Sequence, residues 1–259
     1  MTDSAPSTGH VQATLVLTAT LITIGVNFLA ALGRINGTTA AEISARYPTP
    51  VTPAGYAFSI WSLIYAGLLA FSVYQLLPSN LAKFQRIRAF YVLTCVLNCG
   101  WLYFWHYDQI GVCFVLILLL AITLFFINSD LRKTDSPGEY WLAKAPFSIY
   151  FGWVTTASLV NFAVLLVYLQ IGFLIETSVI IAVILIVLAS AIAVLVRSKL
   201  SNYLFPLAVG WALTAIAVKQ SGQTAVVTAC ALGVVTCLIA TLSFVVNLPS
   251  RTATRPSTS

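Results

Sequence analysis

Apolar residues run along this chain in long blocks separated by short polar interruptions, with no sustained two-residue alternation. Eight blocks approach the length of a membrane-spanning helix: roughly Val11 to Leu32, Tyr56 to Leu77, Arg88 to Trp105, Ile110 to Asn128, Pro146 to Leu169, Thr177 to Val196, Tyr203 to Val218 and Ala225 to Asn247. A hydrocarbon layer of about 30 Å needs roughly 20 apolar residues per helix, because every backbone N–H and C=O must be paired inside the segment. The seventh block, held between Lys199 and Lys219, is the shortest and predicts a tilted or interfacial segment. A transmembrane barrel would alternate apolar and polar residues over stretches of about ten, and none is present. The pattern therefore predicts an all-α polytopic membrane protein, a bundle of about eight transmembrane helices.

Composition agrees. Of 259 residues, 59% are apolar and 8% charged, whereas a soluble domain is about 25% charged. The thirteen basic residues then set orientation, since Lys and Arg of short loops stay on the cytoplasmic side. Ten of them (Lys83, Arg86, Arg88, Arg132, Lys133, Lys144, Arg197, Lys199, Arg251 and Arg255) fall on the tails and on the loops after the second, fourth and sixth segments. Only Arg34, Arg46 and Lys219 fall on the other face, which predicts both termini in the cytoplasm of, most simply, a bacterial plasma membrane. The net charge of +6 reads as this topology signal plus contact with anionic lipid headgroups, with no call for nucleic acid. Met1 to His10 contains Asp3 and no Lys or Arg, a poor start for a signal peptide, so the first block is read as a retained helix.

Candidate chemistry is sparse. All seven acidic residues map to loops, tails or helix ends, which argues against a carboxylate proton relay at membrane depth. The two histidines, His10 and His106, cannot supply a bis-histidine haem site, and no metal site or nucleotide-binding motif is found. The five cysteines fall within helices and read as small buried hydrophobes. What remains is a set of amides and aromatics. Asn27, Asn98 and Asn161 lie on the first, third and fifth segments, each roughly 18 to 22 Å above the inner surface at 1.5 Å per residue. Trp61, Tyr65 and Trp101 fall in or near that layer, with Trp153 deeper. Amides in such a layer also serve simply as interhelical hydrogen bonds.

These residues resemble the translocator protein and tryptophan-rich sensory protein family, TspO/MBR. Tyr47-Pro48-x-Pro50-x-x-Pro53 leads into Trp61-x-x-x-Tyr65-x-Gly67; Leu97-Asn98-x-x-Trp101 follows; Pro146, Tyr150-x-x-Trp153, Ala157 and Asn161 complete the ordered set. Gly55 stands where the family usually carries a Trp, an acidic residue of the fourth family helix is replaced by residues such as Val115 and Leu116, and about three helices follow the family's five. The resemblance implies a larger branch with a TspO-like five-helix region over 1–170, an additional three-helix region over 171–248 and a disordered cytoplasmic tail over 249–259.

It further implies a binding protein, sensor or carrier, for a flat apolar ligand such as a porphyrin or sterol, with ligand-binding residues Trp61, Tyr65, Asn98, Trp101, Trp153, Ala157 and Asn161. Trp153, Ala157 and Asn161 are each four apart and share one helical stripe. No cofactor is required, although a tetrapyrrole could be held as ligand, and the other expected partners are membrane lipid and a homodimer mate. Breakdown of bound tetrapyrrole is attributed to the family, yet nothing in these residues requires catalysis, and no catalytic residue is assigned. The 23-residue loop from Gly33 to Gly55 suits a lid. The alternative reading is a transporter or scaffold subunit whose last three helices pack with a partner, using small residues such as Ala229, Ala231, Gly233 and Ala240. A short echo, Gly152-Trp153-x-x-Thr156-Ala157 and Gly210-Trp211-x-x-Thr214-Ala215, links the fifth and seventh segments.

Overall fold

The computed structural model describes residues 8–171 and 174–243. The tail expected at 249–259, with Arg251 and Arg255, lies outside the described residues, as does Asp3. The chain forms helices α1 (Thr8–Ala31), α2 (Ala40–Arg46), α3 (Ile60–Tyr74), α4 (Gln85–His106), α5 (Ile110–Asp130), α6 (Ala145–Tyr168), α7 (Ile175–Leu200), α8 (Leu204–Lys219) and α9 (Thr224–Leu242). A 3-10 turn, Gly55–Ser59, feeds α3, and a π turn, Tyr140–Lys144, feeds α6. With these extensions, seven helices among the described residues are long and apolar enough to cross a membrane. Their outward faces carry Phe28, Leu63, Val96, Ile122, Ile184, Leu232 and Ile239, all exposed, as lipid contact requires.

The helix ends follow local chemistry. α1 stops where Gly33 and Gly37, both at φ +67°, and Asn36 at φ 51° take left-handed backbone, a region glycine and asparagine enter at low cost. The loop that follows nucleates α2 with a capping box: the Thr39 side chain accepts from the Glu42 amide while the Glu42 carboxylate accepts from the Thr39 amide at 2.7 Å. Between α7 and α8, Ser201 is left-handed, and Asn202 caps the new helix by accepting from the Phe205 amide at 3.1 Å.

α6 is the helix around which the others are arranged. One side meets α3 and α5; the other meets α8, which in turn packs against α7 and α9. Both contacts depend on glycine. A Cβ on Gly67 of α3 would sit 2.9 Å from Pro146, and a Cβ on Gly152 of α6 would sit 2.5 Å from the Phe205 carbonyl oxygen. The seventh apolar block, expected to be tilted or interfacial, forms the helix α8. Its 16 residues span about 24 Å, short of a hydrocarbon layer. Protein covers most of it, with Phe205, Val209, Leu213 and Ala215 completely buried, while Leu207, Trp211 and Val218 are exposed along one face. Arg88, expected at a loop boundary, is likewise buried one turn inside α4, donating from Nε to Gln75 Oε1 at 2.8 Å.

Ion pairs stay at the helix ends. On the side rich in basic residues, Lys83 donates to Asp135 at 2.7 Å and to Glu139 at 2.5 Å, which holds the Lys83 ammonium above its ordinary pKa. On the opposite side Arg46 pairs with Asp108 at 3.2 Å.

Candidate functional site

A polar seam leads to the site. Where α1, α3 and α4 meet, the hydroxyls of Thr20, Ser72 and Tyr91 share hydrogen bonds of 2.6 and 2.5 Å. Farther from the basic side, Asn27 Nδ2 donates to Asn98 Oδ1 at 2.8 Å, and the Tyr65 hydroxyl donates to the same oxygen at 3.5 Å. Asn98 Nδ2, in a residue 1% exposed, makes no hydrogen bond of good geometry, and its nearest candidate acceptor is the neighbouring Tyr150 hydroxyl, which interacts with the Asn98 side chain. On α6, Asn161 Nδ2 donates back to the Ala157 carbonyl at 2.9 Å, leaving Asn161 Oδ1 to accept from the Trp101 indole at 3.2 Å. The Trp153 indole Nε1 has no partner.

Several of these side chains meet at a small, almost wholly apolar cavity between α3, α4, α5, α6 and α8. Trp61, Asn98, Trp101, Trp153, Ala157 and Asn161 all line it. Tyr65, the seventh residue of the expected set, lies instead in an adjoining groove with Asn27, Ser62 and Ala66, between α1 and α3. Phe58, Trp61 and Trp101 belong to both walls and so form the partition. The two spaces differ greatly in size. Water-sized free space is about 40 Å³ in the cavity and about 560 Å³ in the groove. A drug-sized ligand needs roughly 300 to 1,000 Å³, so the cavity alone holds only a few waters, and a larger guest must use the groove or displace the partition.

The aromatic residues around the two spaces pack against one another, face to face and edge to face. Trp61 stacks on Tyr65 at 5.4 Å between centroids and meets Tyr150 and Trp153 edge-on at 5.7 and 6.2 Å. Trp101 stacks on Trp105 at 5.3 Å, and Phe58, one of the two aromatics beside the departure at Gly55, meets Trp153 edge-on at 6.0 Å. No lining residue of the cavity or groove carries a formal charge. The site is thus a low-dielectric space with one idle donor, Trp153 Nε1, and one weakly engaged donor, Asn98 Nδ2, able to bind an uncharged acceptor and ill suited to a bare carboxylate.

The loop expected to act as a lid is a folded cover. Asn36 Nδ2 donates to the His106 carbonyl at 2.7 Å, Trp105 Nε1 to the Ala40 carbonyl at 3.1 Å, and the Tyr47 hydroxyl to Asp108 at 3.1 Å. Burial and the Asp108 carboxylate push the Tyr47 phenol above its usual pKa, while the Thr39 amide and hydroxyl hold Glu42 below the ordinary carboxylate range. Ser44 and Pro53 of this cover reach the cavity wall.

Two further lining residues, Ala212 and Ile216, come from α8, outside the region in which the site was sought. Their only sequence signal is the echo between the fifth and seventh segments. Trp153 lines the cavity, whereas its counterpart Trp211 packs edge-on against Tyr56 at 5.4 Å and donates to the Ala57 carbonyl at 3.0 Å.

Fold and site together define an integral membrane helical-bundle protein with a small apolar cavity. The sequence model of the TSPO-like protein family matches residues 13–244, and the chain belongs to that family. The match crosses position 170 and takes in all of α7, α8 and α9, so these helices lie within the family match. Comparison with curated proteins and with solved structures gives no match.

Proposed function

We propose that this protein binds a flat, apolar, uncharged molecule from the membrane and serves as its sensor or carrier. The observation that carries the reading is the buried Trp153 Nε1, which has no acceptor, beside Asn98 Nδ2, which has only the Tyr150 hydroxyl near it, in residues lining one apolar cavity. A buried donor without an acceptor costs about 1 to 3 kcal/mol. A bound oxygen acceptor recovers that cost, so the donors favour the occupied state. The flat body of the guest lies in the groove against Trp61 and Tyr65, and its acceptor end reaches past the partition toward Asn98 and Trp153.

A porphyrin or a sterol meets the requirement of a large apolar face. The absence of any cation among the lining residues separates forms of the same molecule: a porphyrin with esterified side chains satisfies the donors, whereas one with two carboxylates leaves charges unpaired. Orientation in the bilayer follows the basic loops, with the site in the outer half of a bacterial plasma membrane.

The test is a titration of the purified chain in lipid nanodiscs with protoporphyrin, its dimethyl ester and cholesterol. Quenching of tryptophan emission reports the porphyrins, and a radiolabel reports the sterol. The ester should bind more tightly than the free acid, and Trp153→Phe should weaken it. Failure of all three probes to bind saturably would defeat the reading.

A further inference from the structure

We propose that α8 completes the ligand cavity, with Ala212 and Ile216 setting the size of guest it accepts, and that Gln220 at its end latches the cavity's cover. The first half rests on the binding function proposed above; the latch stands on its own hydrogen bonds.

The cover from Thr49 to Phe58 is tied to α8 at three levels. Gln220 Nε2 donates to both the Thr49 and Thr52 carbonyls at 3.1 Å. The Ala54 amide donates to the Ala215 carbonyl at 3.0 Å, and the Trp211 indole holds the Ala57 carbonyl. Pro53 lies between these ties and Phe58 directly follows the last, and through these two residues the cover enters the cavity wall. The cover is therefore registered against α8 along about two turns of helix, residues 211 to 220. Thr49 and Thr52 add an internal brace: their hydroxyls share a hydrogen bond at 3.0 Å, which presents both carbonyls to the single Gln220 amide.

The same helix supplies wall atoms. Ala212 and Ile216 are one turn apart on the face turned to the cavity, while Trp211 and Val218 face outward and are exposed. Across the cavity stand Trp101 and Trp105 of α4 and Leu120 of α5. With only about 40 Å³ of free space, the difference between an isoleucine and an alanine at position 216 changes the cavity by more than its present volume, on the order of three carbon atoms. Ala212 and Ile216 are thus specificity-determining, since they meet the guest directly. Gln220 is a positioning residue that acts through the cover.

Gln220→Glu keeps the shape of the side chain and removes the donating amide, and Val218→Ala on the outward face serves as control. In the ligand-free protein, hydrogen exchange of the Thr52 to Ala57 amides should accelerate roughly tenfold in Gln220→Glu, the loss expected for two carbonyls left without their donor, and stay unchanged in Val218→Ala. Equal exchange in Gln220→Glu and the native chain would overturn the latch, whether or not any ligand binds. For the wall, acetophenone and benzophenone are neutral ketones of increasing size, each with one acceptor oxygen. Ile216→Ala should shift preference toward benzophenone by about tenfold or more, and Ala212→Phe should abolish binding of both while exchange in α4 and α5 remains native. If the native chain binds the ketones and neither variant alters the preference, α8 is not the selecting wall. If the native chain binds neither ketone nor the porphyrin ester, the binding function fails and takes the wall with it, while the exchange result still decides the latch.

Discussion

Trp153→Phe separates a ligand site from a packed core, because the two readings predict opposite changes in stability. Trp153 is 4% exposed, meets Phe58 and Trp61 edge-on, and its Nε1 has no acceptor. Replacing the indole by a phenyl ring removes roughly 40 Å³, which at about 24 cal/mol per Å³ of residual cavity costs about 1 kcal/mol. The phenyl ring keeps an aromatic neighbour for Phe58 and Trp61. Against this stands the relief of a buried unsatisfied donor, about 1 to 3 kcal/mol. The net change for the empty protein therefore lies between about zero and 2 kcal/mol of stabilisation, a melting temperature raised by about 0 to 6 °C for a chain of this size. Binding should move the other way. Loss of one hydrogen bond worth about 0.5 to 1.5 kcal/mol weakens the porphyrin ester by roughly 2- to 12-fold. Thermal unfolding in detergent and tryptophan quenching in nanodiscs measure the two on one variant. A melting temperature lowered by several degrees, with affinity unchanged, would refute the reasoning: the indole N–H would then be satisfied in the empty protein and the ring would be mere packing.

Other sites offer sharper structural tests. Gly152→Ala places a Cβ 2.5 Å from the Phe205 carbonyl oxygen and 2.9 Å from Ala208; it should destabilise the chain by about 1 to 3 kcal/mol, whereas Gly25→Ala, with nothing within 4 Å, should be tolerated in the same thermal assay. Because Glu42 has a depressed pKa, its contribution to α2 is complete above the unfolded value of about 4.3 and is lost as pH falls through the folded one. Amide protection over Thr39 to Arg46 should accordingly decline in acid, and Glu42→Gln should abolish that dependence. Cysteine labelling, in a background without the native thiols, should modify position 36 and spare position 133 from outside intact cells; the reverse pattern would invert the orientation taken from the basic loops.

How far the sequence discloses this molecule depends on which solvent each helix meets. Lipid imposes a continuous apolar run of fixed length, so α1, α3 to α7 and α9 stand out in the residue pattern to within a few positions. α8 shows in the pattern too, as the block from Tyr203 to Val218, but α6, α7 and α9 bury most of it, and a helix largely covered by protein need not match the bilayer. The site divides along similar lines. The stripe of Trp153, Ala157 and Asn161 follows from helical period alone, and the interhelical bonds among Asn27, Asn98, Trp101 and Asn161 join residues expected in one layer. The wall contributed by Ala212 and Ile216 does not follow, since α8 is apolar on all sides and periodicity cannot say which neighbour each face meets. Nor can spacing show that Asn98 spends its oxygen on Asn27 and Tyr65 while its amide nitrogen has only the Tyr150 hydroxyl near it. That asymmetry arises only when three helices fix one side chain, and it leaves the Asn98 amide nitrogen a weakly engaged donor in a residue that lines the cavity. An Asn98→Leu change would test both roles together and confuse them, because it also strips Asn27 of its acceptor. Trp153 has a single polar atom and no such second duty, and for that reason its indole carries the functional argument further than the more conspicuous asparagines.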